Sequence, residues 1–133
     1  GLPFTLAELS STAALTGARP DSGAFEKHFS SREGDAVFLY TWTGDNAVSA
    51  RMFAPMHGVT EDPATGSASA AATAFLAQLV GPADGEFRLS ITQGVDMGRP
   101  SLILGNASVV GGKVESVRVG GPSVPVMDGF LTI

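Results

Sequence analysis

Cysteine is absent from this 133-residue chain, and charged residues are scarce at 16% of the total. Without cysteine the chain can form no disulfide, no thiolate metal site and no cysteine nucleophile. The eight lysines and arginines are scattered and the net charge is −5, which argues against nucleic acid and a membrane surface as partners. The two histidines, at positions 28 and 57, lack the short spacing of a metal-binding motif, so we expect no bound metal.

The first residues, GLPFTLAELS, lack the basic segment followed by an apolar one that a secretory leader would have. The missing cysteine fits a reducing compartment, and we therefore expect a cytoplasmic protein. A hydrophobic content of 44% over this length is enough for one compact domain across residues 1–133.

Short apolar runs separated by glycine and proline dominate the chain and predict β-strands. The expected strands are residues 2–9, 36–42, 46–55, 86–93, 101–110, 113–120 and 129–133. A short capped helix is expected in SSTAALTGA, ending at Gly17, and a single helical turn at Phe25 to Phe29.

One longer helix is predicted from about Ser67 to Leu79, inside a stretch without any charged residue. Gly81 and Pro82 would end it, with the glycine in the left-handed conformation. Because this helix has no polar stripe, we expect it to be buried on every side. The predicted fold is α+β: a mixed, mostly antiparallel sheet curved into a barrel around one central buried helix. A membrane span is a poor alternative because alanine, serine and threonine give the segment little hydrophobicity.

The start of this helix, in GVTEDPATGSASA, has the chemistry of an anion-binding site. Free N–H groups at Gly66, Ser67 and Ala68 and the helix dipole, equivalent to about +0.5 charge, favour an anion there. Ser67 adds a hydroxyl donor, and Thr65 can cap the helix or contact the ligand. The motifs of α/β-hydrolases and P-loop proteins are absent, since GSASA is not Gly-x-Ser-x-Gly and EDPATGSA lacks Gly-Lys-Ser/Thr.

Four segments, RMFAP, GVTEDPATGSASA, QGVDMGRPS and the closing VGG with DGFLTI, resemble the second half of the phenazine-biosynthesis PhzF-like family. That family belongs to the diaminopimelate-epimerase-like superfamily of cofactor-independent isomerases. The resemblance implies two pseudo-symmetric lobes, each a barrel-like sheet around a central helix, with the active site between them. It also implies that this chain is the second, C-terminal lobe, that the first lobe with its catalytic glutamate is missing, and that no cofactor is needed.

By the same resemblance Asp62 is the catalytic residue of this lobe, which holds polar groups of the substrate and assists the glutamate of the other lobe. The expected substrate-binding residues are Thr65, Gly66, Ser67, Ala68 and Arg99. Arg99 could pair with Asp62 or reach the substrate. Glu61 is expected to be structural.

Each of these residues also has a purely structural interpretation. Glu61 and Asp62 could merely complement the helix dipole, worth about 0.3–1 kcal/mol each. Ser67 could be an ordinary serine of the first helical turn. The glycines of QGVDMGRPS fit a hairpin loop. His57 is better explained as a solvated loop residue than as a catalyst.

Two functions of different classes follow. The first is the C-terminal lobe of an isomerase, related to those acting on 2,3-dihydro-3-hydroxyanthranilate, that moves a proton next to a carboxylate or enol on a small acid. Its partners would be that carboxylate-bearing substrate, the missing N-terminal lobe and a second copy in a homo-oligomer, such as a dimer. The isolated lobe would be inactive. The alternative is a non-catalytic small-anion-binding or dimerisation domain.

Overall fold

The computed structural model describes residues 2–29 and 34–132. The strands are β1 (Phe4–Glu8), β2 (Ala36–Gly44), β3 (Ala47–Ala54), β4 (Val59–Asp62), β5 (Gly85–Gln93), β6 (Ser101–Val110) and β7 (Lys113–Gly120). The helices are α1 (Thr12–Gly17), α2 (Ser22–Phe29) and α3 (Gly66–Val80). Two short 3-10 turns cover Pro55–His57 and Val95–Met97.

Most of the predicted strands are confirmed. They were predictable because alternating apolar residues and flanking glycines mark them locally. The strand expected at 129–133 is wrong for residues 129–132, which are exposed and form no strand. Ile133 lies outside the described residues. Strand β4 was not predicted, since its four residues carry no alternating apolar pattern. The helical turn at Phe25 to Phe29 belongs to the longer helix α2, whose start is capped by the Asp21 carboxylate.

The sheet runs in the order β1-β2-β3-β5-β6-β7, with β4 paired to β3. Strands β1 and β2, and likewise β3 and β5, pair in parallel, whereas the other neighbours are antiparallel. Although β1 and β7 lie at opposite ends of this order, both contact α3. The sheet therefore curls around the helix as a half-barrel, which confirms the predicted α+β fold with a mixed, mostly antiparallel sheet.

Helix α3 follows the predicted bounds to within one residue, and its small residues allow the close packing that the sequence suggested. The buried side consists of Ala68, Ser69, Ala72, Thr73, Leu76 and Ala77. Gly105 of β6 lies against Thr73 so closely that any side chain at 105 would collide with it. At this point the helix thus lies very close to the sheet.

Two expectations about this helix are wrong. The helix is not buried on every side, because a half-barrel covers only one face: Phe75, Leu79 and Val80 are 44%, 62% and 57% exposed. Gly81 does not adopt the left-handed conformation but has φ −75°, and its N–H donates to the Ala77 carbonyl. Glycine is still required there, since a Cβ would collide with that carbonyl. No helix among the described residues is long and apolar enough to cross a membrane.

Candidate active site

A hydrogen-bonded turn joins the end of β4 to the start of α3. The Thr65 hydroxyl donates to Asp62 Oδ2 at 2.7 Å, so Thr65 faces the carboxylate and does not cap its own helix. Gln93, at the end of β5, donates from Nε2 to the Asp62 carbonyl at 2.7 Å and to Thr65 Oγ1 at 3.0 Å. Its Oε1 accepts the Thr65 N–H at 3.2 Å. Because the Gln93 side chain is 0% exposed, these bonds form away from competing water.

The loop that follows Gln93 is built against this turn. Gly94 has φ +79°, and a Cβ at this position would lie 2.8 Å from the Pro63 carbonyl, so only glycine fits. The Val95–Met97 turn follows and closes with Gly98 in the left-handed conformation. Both glycines of QGVDMGRPS therefore have a structural reason to be there.

The first turn of α3 is available to an anion. No side chain of the described residues caps it, and Gly66 and Ser67 are exposed at its tip. The N–H groups at such a helix start favour a negatively charged group, an effect worth about 0.3–1 kcal/mol at an exposed end. Ala68 supplies a backbone N–H only, since its side chain is buried in the core.

A cavity of about 510 Å³ opens beside this turn and the helix start. Its polar groups come from Asp35, His57, Asp62, Thr65 and Ser67. Its apolar wall consists of Leu2, Pro3, Phe4, Ala36, Met52, Ala54 and Val59, and Gly34 completes it. The cavity therefore offers two carboxylates, an imidazole, two hydroxyls and a helix start next to a hydrophobic surface.

The structure brings three of the predicted site residues, Asp62, Thr65 and Ser67, into this one cavity. Gly66 lies on the other side of the helix start, in a second groove of about 310 Å³ next to β6 and the end of β7. Arg99 is exposed on the loop after the Val95–Met97 turn, does not line the cavity, and makes no ion pair with Asp62. A role for Arg99 toward the substrate stays a prediction.

Glu61, the neighbour of Asp62, forms a buried ion pair with Arg51 of β3. Arg51 Nε and Nη2 donate to the two Glu61 oxygens, each at 2.8 Å. Arg51 Nη1 donates to the Leu15, Thr16 and Ala18 carbonyls at the end of α1. The hydrogen bonds that Arg51 donates to Glu61 raise the pKa of Arg51 above its ordinary value, although burial acts in the opposite direction. Glu61 thus fixes β4 in place, which is the structural role expected of it.

The ion-pairing role of Arg51, a residue of the RMFAP segment, was not predicted from the sequence. Its partner Glu61 is ten positions away. Sequence reasoning also missed the contact of His57 with Asp35, in which Nε2 lies 2.8 Å from Oδ1. His57 is exposed, as expected of a loop residue, yet it also lines the cavity. The one local signal for the contact of Arg51 with Glu61 was an arginine within a mostly apolar strand. The contact of His57 with Asp35 had no local signal, since 22 positions separate the two residues.

Comparison with known proteins identifies the family. The model of the phenazine biosynthesis-like protein family, PhzC-PhzF, matches residues 1–129. This chain belongs to that family. The resemblance seen in the sequence motifs is thereby confirmed.

Two relatives are similar over nearly the whole chain. An uncharacterized isomerase of Mesorhizobium japonicum is 36% identical over 100% of this chain and 46% of its own length. The trans-2,3-dihydro-3-hydroxyanthranilate isomerase of Pseudomonas chlororaphis is 35% identical over 94% of this chain and 43% of its own length. The chain spans less than half the length of these relatives.

The crystal structure of a Bacillus anthracis phenazine biosynthesis protein of the PhzF family has a similar fold. It matches 77% of this chain and 36% of its own with a TM-score of 0.64. At 18% sequence identity this likeness concerns the fold alone.

Among the described residues no three histidine or acidic side chains are grouped to hold a metal ion.

Proposed function

We propose that this chain is the C-terminal lobe of an isomerase that moves a proton next to a carboxylate or enol on a small acid. The observation that carries the proposal is the single cavity in which Asp62 lies beside Thr65, Ser67 and an uncapped helix start. Asp62 would handle the proton. The helix start would hold the anionic end of the substrate.

The reaction needs this pairing because proton removal next to a carboxylate builds negative charge on the substrate. Backbone N–H groups and the Ser67 hydroxyl can stabilise that charge without reorganising, and the hydrophobic wall strengthens their effect by excluding water. Thr65 holds Oδ2 of Asp62, whereas Oδ1 has no protein donor among the described residues. One carboxylate oxygen is thus oriented and the other is free to meet a substrate proton. No cofactor takes part in this proposal, in line with the family that the motifs resemble.

A second half of the active site would come from another lobe. The chain covers 46% and 43% of the length of its two named relatives, which leaves room for a lobe of similar size. The exposed face of α3 supports the same proposal, because Phe75, Leu79 and Val80 are neighbours on one helix and an apolar patch of this kind often marks an interaction surface. The other lobe would supply the glutamate that the family resemblance implies. The isolated chain would therefore be inactive.

The substrate class follows from the relatives only as a first candidate. The Pseudomonas relative is named for trans-2,3-dihydro-3-hydroxyanthranilate, a cyclic amino and hydroxy acid. Such a molecule matches a cavity with a helix start at one place and a hydrophobic wall around it. We therefore propose small cyclic acids of this kind as the first substrates to test.

The test is incorporation of solvent deuterium into candidate acids by the full-length gene product, followed by NMR. Wild type should introduce deuterium next to the carboxylate or enol, and Asp62→Asn should slow this by about 100-fold or more, the usual contribution of a general acid or base. Asp45→Asn is the matched control, since Asp45 lies exposed at the turn between β2 and β3.

Equal rates in Asp62→Asn and wild type would remove Asp62 from the mechanism. No incorporation into any acid of a broad panel, together with measurable binding of those acids, would favour the small-anion-binding domain over the enzyme.

A further inference from the structure

His57 and Asp35 form a pair in the lining of the same cavity. His57 Nε2 lies 2.8 Å from Asp35 Oδ1, and both residues line the cavity together with Asp62 and Ser67. His57 is the only nitrogen-bearing side chain among the described lining residues. The imidazole is therefore chemically different from the carboxylates and hydroxyls that a ligand would also meet there.

The pair has a defined orientation. His57 ends the Pro55–His57 turn, which packs against α2 and is closed by Gly58 at φ +74°, whose N–H donates to the Pro55 carbonyl at 3.1 Å. Asp35 immediately precedes β2 and is partly buried. The imidazole is thus held from both sides, by its own backbone turn and by the carboxylate.

The carboxylate also decides which ring nitrogen carries hydrogen. An ionised carboxylate only accepts hydrogen bonds, so Nε2 must be the donor to Asp35. In the neutral ring Nδ1 then has a lone pair and can accept a hydrogen bond. Donors lie at the helix start of this cavity, and the neutral His57 ring adds an uncharged acceptor to the carboxylates of Asp35 and Asp62.

We propose that His57, held by Asp35, recognises a hydroxyl or amino group on the acid whose carboxylate occupies the start of α3. His57 is then a specificity residue that selects acids carrying a hydrogen-bond donor over plain acids of the same size. This inference rests on the proposed function, since it requires that the cavity bind a carboxylate.

The experiment measures binding of three acids to the full-length gene product: benzoate, 3-hydroxybenzoate and anthranilate. The second and third add a hydroxyl or an amino group to the first. Wild type should bind 3-hydroxybenzoate, anthranilate or both more tightly than benzoate. His57→Phe keeps a flat ring but removes the acceptor, and it should reduce this preference by about 3- to 10-fold, the value of one hydrogen bond, while benzoate binding stays unchanged.

Two further variants separate recognition from structure. His57→Gln retains an acceptor oxygen and should keep part of the preference, and Asp35→Ala should lower it by freeing the ring. His28→Phe is the matched control, because His28 is exposed on α2 and does not line the cavity. Melting curves establish that each variant is folded. If a variant is unfolded, the nitrogen NMR spectrum of the His57 ring in wild type tests the proposal instead, because it shows which ring nitrogen carries hydrogen. A ring with hydrogen on Nδ1 alone would overturn the proposal.

The outcomes are distinguishable. An unchanged preference in His57→Phe, or an equal loss for all three acids, would overturn the role of His57 but leave the carboxylate site intact. Failure of wild type to bind any of the three acids would count against the carboxylate site itself, and with it both proposals.

Discussion

At the scale of single residues, the geometry of the candidate site depends on one buried amide. Gln93 bonds to the backbone of Asp62 and to both the backbone and the side chain of Thr65. It thereby fixes the turn that aims the Asp62 carboxylate and starts α3. An amide suits this position because it donates and accepts at once without bringing a charge into the core.

We predict that Gln93→Leu destabilises the chain by about 2–4 kcal/mol, because it leaves the Thr65 N–H and the Asp62 carbonyl without their partner in a buried place. Urea unfolding measures the change. Gln78→Leu is the matched control, since Gln78 is the exposed glutamine of α3 and should change the stability by less than about 0.5 kcal/mol. Equal effects of the two substitutions would mean that the network around Gln93 contributes nothing beyond the loss of an amide.

At the scale of elements, α3 packs small side chains against the sheet over its first half, with the larger Leu76 buried further along. Ala68 and Ala72 are buried, and Thr73 meets a glycine of β6. Its exposed side carries the larger Phe75 and Leu79 instead. The small side chains near its start let the backbone of the helix approach the sheet. The N–H groups of its first turn consequently lie next to the turn that carries Asp62.

Ala72→Leu should therefore destabilise the protein by about 1–3 kcal/mol through overpacking. Thermal and urea unfolding both measure this. Ala13→Leu provides the comparison, because Ala13 is an exposed alanine on α1 and has room for the longer side chain. A neutral result for Ala72→Leu would imply that α3 can move away from the sheet without loss.

The sequence was a good guide to elements and a partial one to the site. The strands and α3 were predictable because glycines, apolar alternation and an uncharged alanine-rich run are local signals. The short strand β4 was not predictable because it has no apolar alternation, and the exposed face of α3 was not because it depends on how far the sheet curls. The proximity of Asp62, Thr65 and Ser67 in one cavity was predictable because they belong to one continuous motif, while their roles stay predictions. The pair of His57 with Asp35 was not, because contacts between distant segments exist only in the fold.

At the scale of the whole molecule, the exposed face of α3 is the surface that the proposed second lobe would cover. Phe75 and Leu79 lie on the side of the helix that the sheet leaves open. In the proposed two-lobed protein this face would be covered by the other lobe, and in the isolated chain it would promote self-association. The same residues should therefore respond differently to substitution in the two contexts.

We predict that Leu79→Ser destabilises the full-length gene product by about 1.5–3 kcal/mol, the value of burying a leucine side chain, but leaves the isolated chain almost unchanged. In the isolated chain the substitution should instead reduce self-association, as measured by sedimentation. Val110→Ser controls for the general effect of removing an exposed aliphatic residue, because Val110 is similarly exposed at the end of β6. An equally small effect of Leu79→Ser in both contexts would mean that the second lobe does not cover α3, and the proposed lobe arrangement would then be wrong even if the Asp62 cavity still bound an acid.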